Sequence, residues 1–320
     1  MSVHAPVPYE LIGSSDLVRD CAAGIDRAAG DERNVLITGE RGLDLESIAR
    51  SLHARSARKA GPFVVASTDG GVGDSERGLF GTVQRGSGAS GVATLSAASA
   101  VYRANGGVLF VPNVGDLPAG LQRRLARLLR DAEARLPRRA GPVTLDVRVV
   151  ASTESGVDGL RDDLARRFPV LIEIPALRRR REDVPAIAEA VLASRGLGHK
   201  FTPAALIVLA ALPWRRNTAE LSGLIERLTA GNGESLIRQE DVLAEVQLDR
   251  TPLRASGNLR DARRQFEREY IASVLRAHEW QMRDAARALG IERANLYRKA
   301  RQLGIPLRRD SDAGASGATR

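Results

Sequence analysis

The stretch NVLITGERGLDLESIAR, residues 34–50, decides the fold. It opens with a short apolar run suited to a buried strand, turns through Gly39 and Gly42, and resumes with helical spacing at LESIAR. Strand, glycine turn and helix in that order build a phosphate-binding loop, whose backbone N–H groups and helix N-terminus attract an anion. The pattern G-x-x-x-x-G-K-[ST] calls for glycine where Asp44 stands and lysine where Leu45 stands. The scaffold is therefore present while its cation is missing.

Outward from this loop, β-branched runs alternate with amphipathic helices. NVLITG, GPFVVAS, GGVLFV and LDVRVVAST read as strands, and SIARSLHARSA and LQRRLARLLRDAEARL as the helices between them. That spacing predicts an α/β domain over residues 9–175, a parallel sheet covered by helices. From residue 176 to 249 strand signals stop. EDVPAIAEAVLASR, TPAALIVLAAL and NTAELSGLIERLTA predict a small α-helical subdomain, with Thr202 and Asn217 at helix starts. Residues 250–257 carry Pro, Gly and Ser and read as a linker, residues 258–306 as a C-terminal all-α domain, and residues 307–320 as a disordered tail. RGSGASG, residues 85–91, is expected to be a mobile loop.

Composition narrows the function classes. The chain has 320 residues, 43% apolar and 27% charged, enough for two or three domains with a sizeable core. No apolar run approaches the roughly 20 residues that span a bilayer, and residues 1–15 have neither a basic leader nor an apolar segment, so a cytoplasmic protein with no membrane partner is expected. Cys21 is the single cysteine, and His4, His53, His199 and His278 share no ligand spacing, which leaves no metal site to build locally. The formal charge is +9, and residues 258–309 hold 13 Lys and Arg against 6 Asp and Glu, or +7. A polyanion is the matching partner, and a merely solvated basic surface is the bland alternative.

That basic segment has internal order. LRDARRQFEREYIASVLRAHEW reads as one amphipathic helix with Leu259, Phe266, Tyr270, Ile271, Val274 and Leu275 along one face. QMRDAARALG and IERANLYRKARQLGI follow as two shorter helices, with Ala285, Ala286, Leu289, Ile291, Leu296 and Leu303 turned inward and Gly290 at the turn. The arrangement is a helix-turn-helix, whose second helix enters the major groove of double-stranded DNA. Its candidate readers are Arg293, Asn295, Arg298 and Lys299, since Arg can bridge guanine O6 and N7 and Asn can pair with adenine. A structural three-helix bundle with solvated arginines is the competing reading. The apolar face of the long helix suggests a homodimer that reads two half-sites.

Taken together, these residues resemble the bacterial sigma-54-dependent enhancer-binding activators, ring ATPases of the AAA+ class with a Fis-type helix-turn-helix. The resemblance runs from ELIGSSDLVRD through VLITGERG, LFG, GGVLFV, GDLPAGLQRRLARLL, DVRVVAST, LRDDLARRFPV, IPALRRRREDVPAIAE and LPWRRNTAELSGLIERL to AARALGIERANLYRKARQLGI. It implies an AAA+-like core with a helical lid, and a nucleotide loop over Gly39, Glu40, Gly42, Asp44, Leu45 and Glu46. At several functional positions of the nucleotide site the chain departs from the family. Leu45 replaces the lysine, Pro112 and Asn113 replace the Mg²⁺-binding and water-orienting acids, and Glu154 replaces an asparagine. Ala219 stands for the sensor arginine, and TVQRGSGASGVATL after LFG lacks the sigma-contacting G-A-F-T-G-A motif. Arg161 and Arg167 match the arginine-finger positions.

Metal-assisted phosphoryl transfer needs anionic ligands and a polarised nucleophile, so no catalytic residue and no cofactor is assigned. A carboxylate on Asp44 facing the phosphate position would oppose an anion by roughly 4 kcal/mol at 4 Å, against about 0.3–1 kcal/mol from a helix terminus. The expected function is a sequence-specific, non-enzymatic DNA-binding regulator with an oligomeric core. The alternatives are an ATP-binding or ATP-hydrolysing sigma-54 activator, and an inactive subunit lending Arg161 and Arg167 to an AAA+ paralogue in a mixed ring. Control is expected from a partner, from expression level or from the folded core.

Overall fold

The computed structural model describes residues 7–68, 71–81, 93–136, 141–154, 156–196, 198–231, 235–250, 268, 271, 275, 280–289 and 291–305. The segment after Gly81 in which the sigma-contacting motif is missing, with the expected mobile loop at residues 85–91, the expected linker and tail, Gly290, and Leu259, Phe266, Tyr270 and Val274 lie wholly or mainly outside those residues. The chain divides into two compact units, Met1–Val246 and Gln247–Arg320.

The first unit is built on five parallel strands: β1 (Val35–Thr38), β2 (Phe63–Val65), β3 (Gly107–Val111), β4 (Val147–Thr153) and β5 (Val170–Glu173). Their order is β2-β3-β4-β1-β5, so the strand that feeds the glycine loop lies inside the sheet. Successive residues of a strand face opposite sides. Leu36, Leu109, Val111, Val149 and Ala151 accordingly join one core, and Val35, Ile37, Val108, Phe110, Val150 and Ile172 join the other. On the second face pack α1 (Asp16–Ala29) and α2 (Leu45–Arg55), through Ile25, Ala28, Ile48 and Leu52. Further helices α3 (Val72–Phe80), α4 (Ala100–Arg103) and α5 (Ala119–Asp131) supply apolar residues to the first.

The sequence reading extends the helix after Leu121 as far as Leu136, but α5 stops at Asp131. Ala132 takes a left-handed conformation (φ 51°), returns its N–H to Leu128 O, and releases Glu133–Arg135 to pair with Ala93–Thr94 and Pro142–Thr144. Tertiary pairing overrides the helical spacing of RDAEARL there.

After the short α6 (Asp162–Ala165) and β5 comes the helical subdomain: α7 (Val184–Ser194), α8 (Pro203–Ala211), α9 (Asn217–Gly231) and α10 (Gln239–Arg250). Thr202 caps α8 by accepting from Ala205 N, with Pro203 in its first turn. The subdomain closes around Trp214, whose Nε1 donates to Leu209 O. A two-residue parallel pairing of Lys200–Phe201 with Leu236–Ile237 adds strand content where only helix is expected from sequence.

In the C-terminal unit α11 (Met282–Ala288) and α12 (Arg293–Gln302) pack across a core of Ala285, Ala286, Leu296, Ala300, Leu303 and Ile305. Ile271 and Leu275 complete that core, so at least two residues of the preceding apolar face pack within their own chain.

Candidate functional site

The glycine loop occupies the carboxyl end of β1, between Thr38 and the start of α2. Leu45 is buried rather than projected into solvent, and Leu43 is buried beside it. A Cβ on Gly39 would lie 3.0 Å from both Leu43 Cδ1 and Leu45 Cδ2 and 3.5 Å from Ile174 Cβ. The two leucines thus pack close to Gly39 and join the core that holds Ile48 and Leu52 of α2. Burying a leucine stabilises a fold by about 1.5–3 kcal/mol, whereas a lysine ammonium there would have to be desolvated.

Polar groups of the loop are also engaged internally. N–H groups of Gly39, Leu43 and Leu45 donate to Thr153 O, Glu40 O and Leu43 O, and that of Asp44 donates to Glu10 Oε1 at 2.9 Å. Asp44 is the N-cap of α2. One carboxylate oxygen accepts from Ser47 N at 3.0 Å and the other from Ser47 Oγ. The sequence reading has this carboxylate aimed at a phosphate; in the fold it is turned onto its own helix, because the exposed N–H groups of the first turn are the nearest donors.

The start of α9 holds the loop from the other side. Asn217 Nδ2 donates to Arg41 O at 3.0 Å and Ala219 N to Gly42 O at 2.9 Å, and Thr218 Oγ1, with a single proton to give, lies 2.7 Å from Glu10 Oε1 and 3.0 Å from Gly42 O. Gly42 has φ 89°, and a Cβ there would lie 2.1 Å from Arg216 O, so only glycine admits this approach. Glu10 is fully buried, and burial pushes its carboxyl above the usual carboxylate range. Beside it Arg180, also fully buried, donates Nη1 to Glu10 O, and burial depresses its guanidinium. Glu40 is paired on both oxygens by Arg178, which holds its carboxyl below the usual range. Glu46 is half-buried and pairs with Arg50 one turn on.

At the carboxyl end of β3, Pro112 and Asn113 make the turn into the next segment. Asn113 is left-handed (φ 45°), a conformation that asparagine tolerates better than most residues, and its N–H donates to Ser152 Oγ. Thr68 Oγ1 donates to Pro112 O. Glu154, beyond β4, is exposed. Arg161 is half-buried and paired with Asp163, whose carboxyl it lowers; the Arg161 N–H donates to Gln122 Oε1. Arg167 is half-buried, its carbonyl accepts from Asn34 Nδ2, and its Nε is buried without a hydrogen-bond partner. Among the described residues, the hydrogen bonds and ion pairs of Arg161 and Arg167 do not reach the glycine loop.

On α12, Arg293, Ala294, Tyr297, Arg298 and Arg301 are exposed, while Asn295 and Lys299 are half-buried. Arg298 Nη2 donates to Asn295 Oδ1 at 3.0 Å, and the Arg293 guanidinium lies 5.7 Å from the Tyr297 ring centroid. Sequence reasoning missed Tyr297 and Arg301 here, although both follow Arg293 at helical spacing. It also missed Glu10, Asn217 and Thr218 at the loop. An acid inside the apolar segment YELIG was the one available signal.

Residues 11–171 match the Sigma-54 interaction domain, and residues 262–303 match the bacterial regulatory proteins of the Fis family. The chain is 31% identical, over 93% of its length, to the nitrogen assimilation regulatory protein NtrX of Azorhizobium caulinodans, covering 70% of that protein. It is 32% identical, over 92% of its length, to the DNA-binding transcriptional regulator NtrC of Escherichia coli K12, again covering 70%. Among solved structures, NtrX from Brucella abortus in complex with ADP aligns with TM-score 0.62 and 30% identity over 93% of this chain and 69% of that one. RuvB of Thermotoga maritima aligns with TM-score 0.55 at 15% identity, over 94% of this chain and 91% of that one, a likeness of fold.

Proposed function

The chain belongs to the sigma-54 activator family, with its Sigma-54 interaction domain and Fis-type helix-turn-helix, and on that premise we propose that it is a DNA-binding transcriptional regulator that does not hydrolyse ATP. One observation carries the proposal. Leu43 and Leu45 lie close to Gly39 and are buried in the core, whereas a phosphate needs open N–H groups and a cation at such a loop. The N–H groups of Gly39, Leu43, Asp44 and Leu45 all have acceptors within the protein.

Pro112 and Asn113 support the same reading, since neither supplies an anionic oxygen for Mg²⁺ or a base for the attacking water. The core then serves as an oligomerisation or protein-interaction platform, and the helix-turn-helix carries the contact with double-stranded DNA. Without a G-A-F-T-G-A motif after Gly81, the core does not make the family's sigma-54 contact.

NtrX from Brucella abortus has been solved with ADP and with ATP, which favours nucleotide binding as the second reading for this chain. Calorimetric titration of the full chain with ATP and ADP, paired with a phosphate-release assay and a gel shift on duplex DNA, separates the two. The proposal predicts sequence-selective retardation of DNA, no phosphate release above background and no saturable nucleotide heat. Turnover that disappears on Arg161→Ala or Arg167→Ala would overturn the non-enzymatic reading. Stimulation of a competent relative's ATPase by this chain, lost in the same variants, would instead place those arginines in a mixed ring.

A further inference from the structure

The exposed surface of α12 sorts its polar residues more finely than sequence spacing does. An α-helix turns by about 100° per residue. Leu296, Ala300 and Leu303 are buried in the core of the unit, so the outward stripe opposite them carries Ala294, Arg298 and Arg301. Arg293 and Tyr297 lie on one flank of that stripe and Asn295 and Lys299 on the other. Two local contacts tie the flanks to the long side chains. Asn295 Oδ1 accepts from Arg298 Nη2, and Arg293 lies over the Tyr297 ring.

We propose that Arg298 is the base-reading residue of α12, oriented by Asn295, with Arg293 and Lys299 as flanking phosphate contacts; the proposal rests on the DNA-binding reading above. Chemistry separates the roles. A guanidinium has five N–H donors, and the bond to Asn295 engages one of them, leaving the fork that bridges guanine O6 and N7. The amide pairing of Asn with adenine needs the Asn oxygen turned to adenine N6, and in this structure one of its two lone pairs is directed at Arg298, which sets the amide for Arg298 rather than for a base. Asn295 is accordingly a positioning residue. It pre-orients a long, rotamer-rich side chain, which lowers the ordering entropy lost on binding. Arg293, stacked on an aromatic ring at the helix edge, holds its charge towards the groove wall, where phosphates lie and carry no base sequence. Ala294 on the outward stripe is small enough to let the backbone approach, and its methyl suits contact with a thymine methyl. The predicted target is a duplex with a guanine at the position facing Arg298 in each half-site.

Selection of the full-length chain on a randomised duplex library, for the wild type and for Arg298→Ala, Arg298→Lys, Asn295→Ala, Asn295→Asp and Arg293→Ala, tests the assignment. Thermal unfolding of each variant, followed by circular dichroism, should match the wild type because the substituted side chains lie outside the buried core. Arg298→Ala and Arg298→Lys should each lose about tenfold or more of the guanine preference, the lysine variant while keeping its charge. Asn295→Ala should lose part of the same preference, and Asn295→Asp should recover it, since a carboxylate also accepts from Arg298. Arg293→Ala should leave the selected sequence unchanged and reduce the salt dependence of binding by about one phosphate contact. A selected guanine that survives Arg298→Ala overturns the proposal. So does a selected adenine lost equally in Asn295→Ala and Asn295→Asp. A wild-type chain that enriches no sequence overturns the DNA-binding reading itself.

Discussion

Two helix starts in this protein are built in opposite ways. Helix α2 begins under a glycine loop, and its first turn is closed from within: Asp44 accepts from Ser47, Glu10 accepts from Asp44 N, and Leu45 is buried. Helix α12 begins at Arg293 after Glu292, whose side chain makes no capping bond, and Arg293, Ala294 and Tyr297 stand in solvent. A helix N-terminus attracts anions through unsatisfied N–H groups and the macrodipole. The first has its carboxylate supplied by the chain, and the second carries basic side chains outward. On the proposed reading, a phosphate-loop scaffold is kept while its N–H donors find partners inside the fold rather than on a phosphate.

The largest way to break this contrast is at Leu45. Leu45→Ala should destabilise the first unit by about 2–5 kcal/mol in urea unfolding, as for other leucines removed from packed cores. Leu45→Lys should lose comparable stability without gaining ATP affinity, because Leu43 still packs close to Gly39 and Pro112 and Asn113 remain. A lysine variant of wild-type stability that binds ATP would refute the packed-loop account. Next in size is the cap. Asp44→Ala should cost about 1 kcal/mol, and Asp44→Ser should restore most of it, both read from denaturant midpoints.

On the open helix, Arg293→Ala should leave stability within about 0.5 kcal/mol while weakening binding evenly across duplex sequences. The smallest effect is a pH dependence at Glu10. Its carboxyl is raised above the ordinary 4.5 by burial, so the folded state holds the proton to higher pH than the unfolded chain does. This contribution is fully present below pH 4.5 and is lost as pH rises through the folded value. Glu10→Gln keeps an oxygen to accept from Asp44 and Thr218 and cannot ionise. Its stability relative to wild type should therefore improve on going from pH 4 to pH 7, and a flat difference across that range would contradict a raised Glu10.

The two regions also differ in how far sequence could be read. The strand-turn-helix order at residues 34–50 and the inward set Ala285, Ala286, Leu296 and Leu303 follow from apolar spacing, a local property of the chain. Glu10, Thr218 and the loop meet across 34 and 208 residues of separation, and no periodicity encodes such a contact. The premature end of α5 belongs to the same class, since the pairing of residues 133–135 with residues 93–94 and 142–144 is non-local.

Local sequence thus carries the α/β core, the helical subdomain, the helix-turn-helix, the loss of the loop lysine at Leu45 and the loss of acidic residues at Pro112 and Asn113. Only the tertiary structure decided what stands in their place. The reason is physical. Side-chain identity fixes which charges a site can offer, whereas the use of a backbone N–H or a carboxylate depends on the nearest partner in space. In the glycine loop those partners are Glu10, Thr153 and the chain's own α2 and α9.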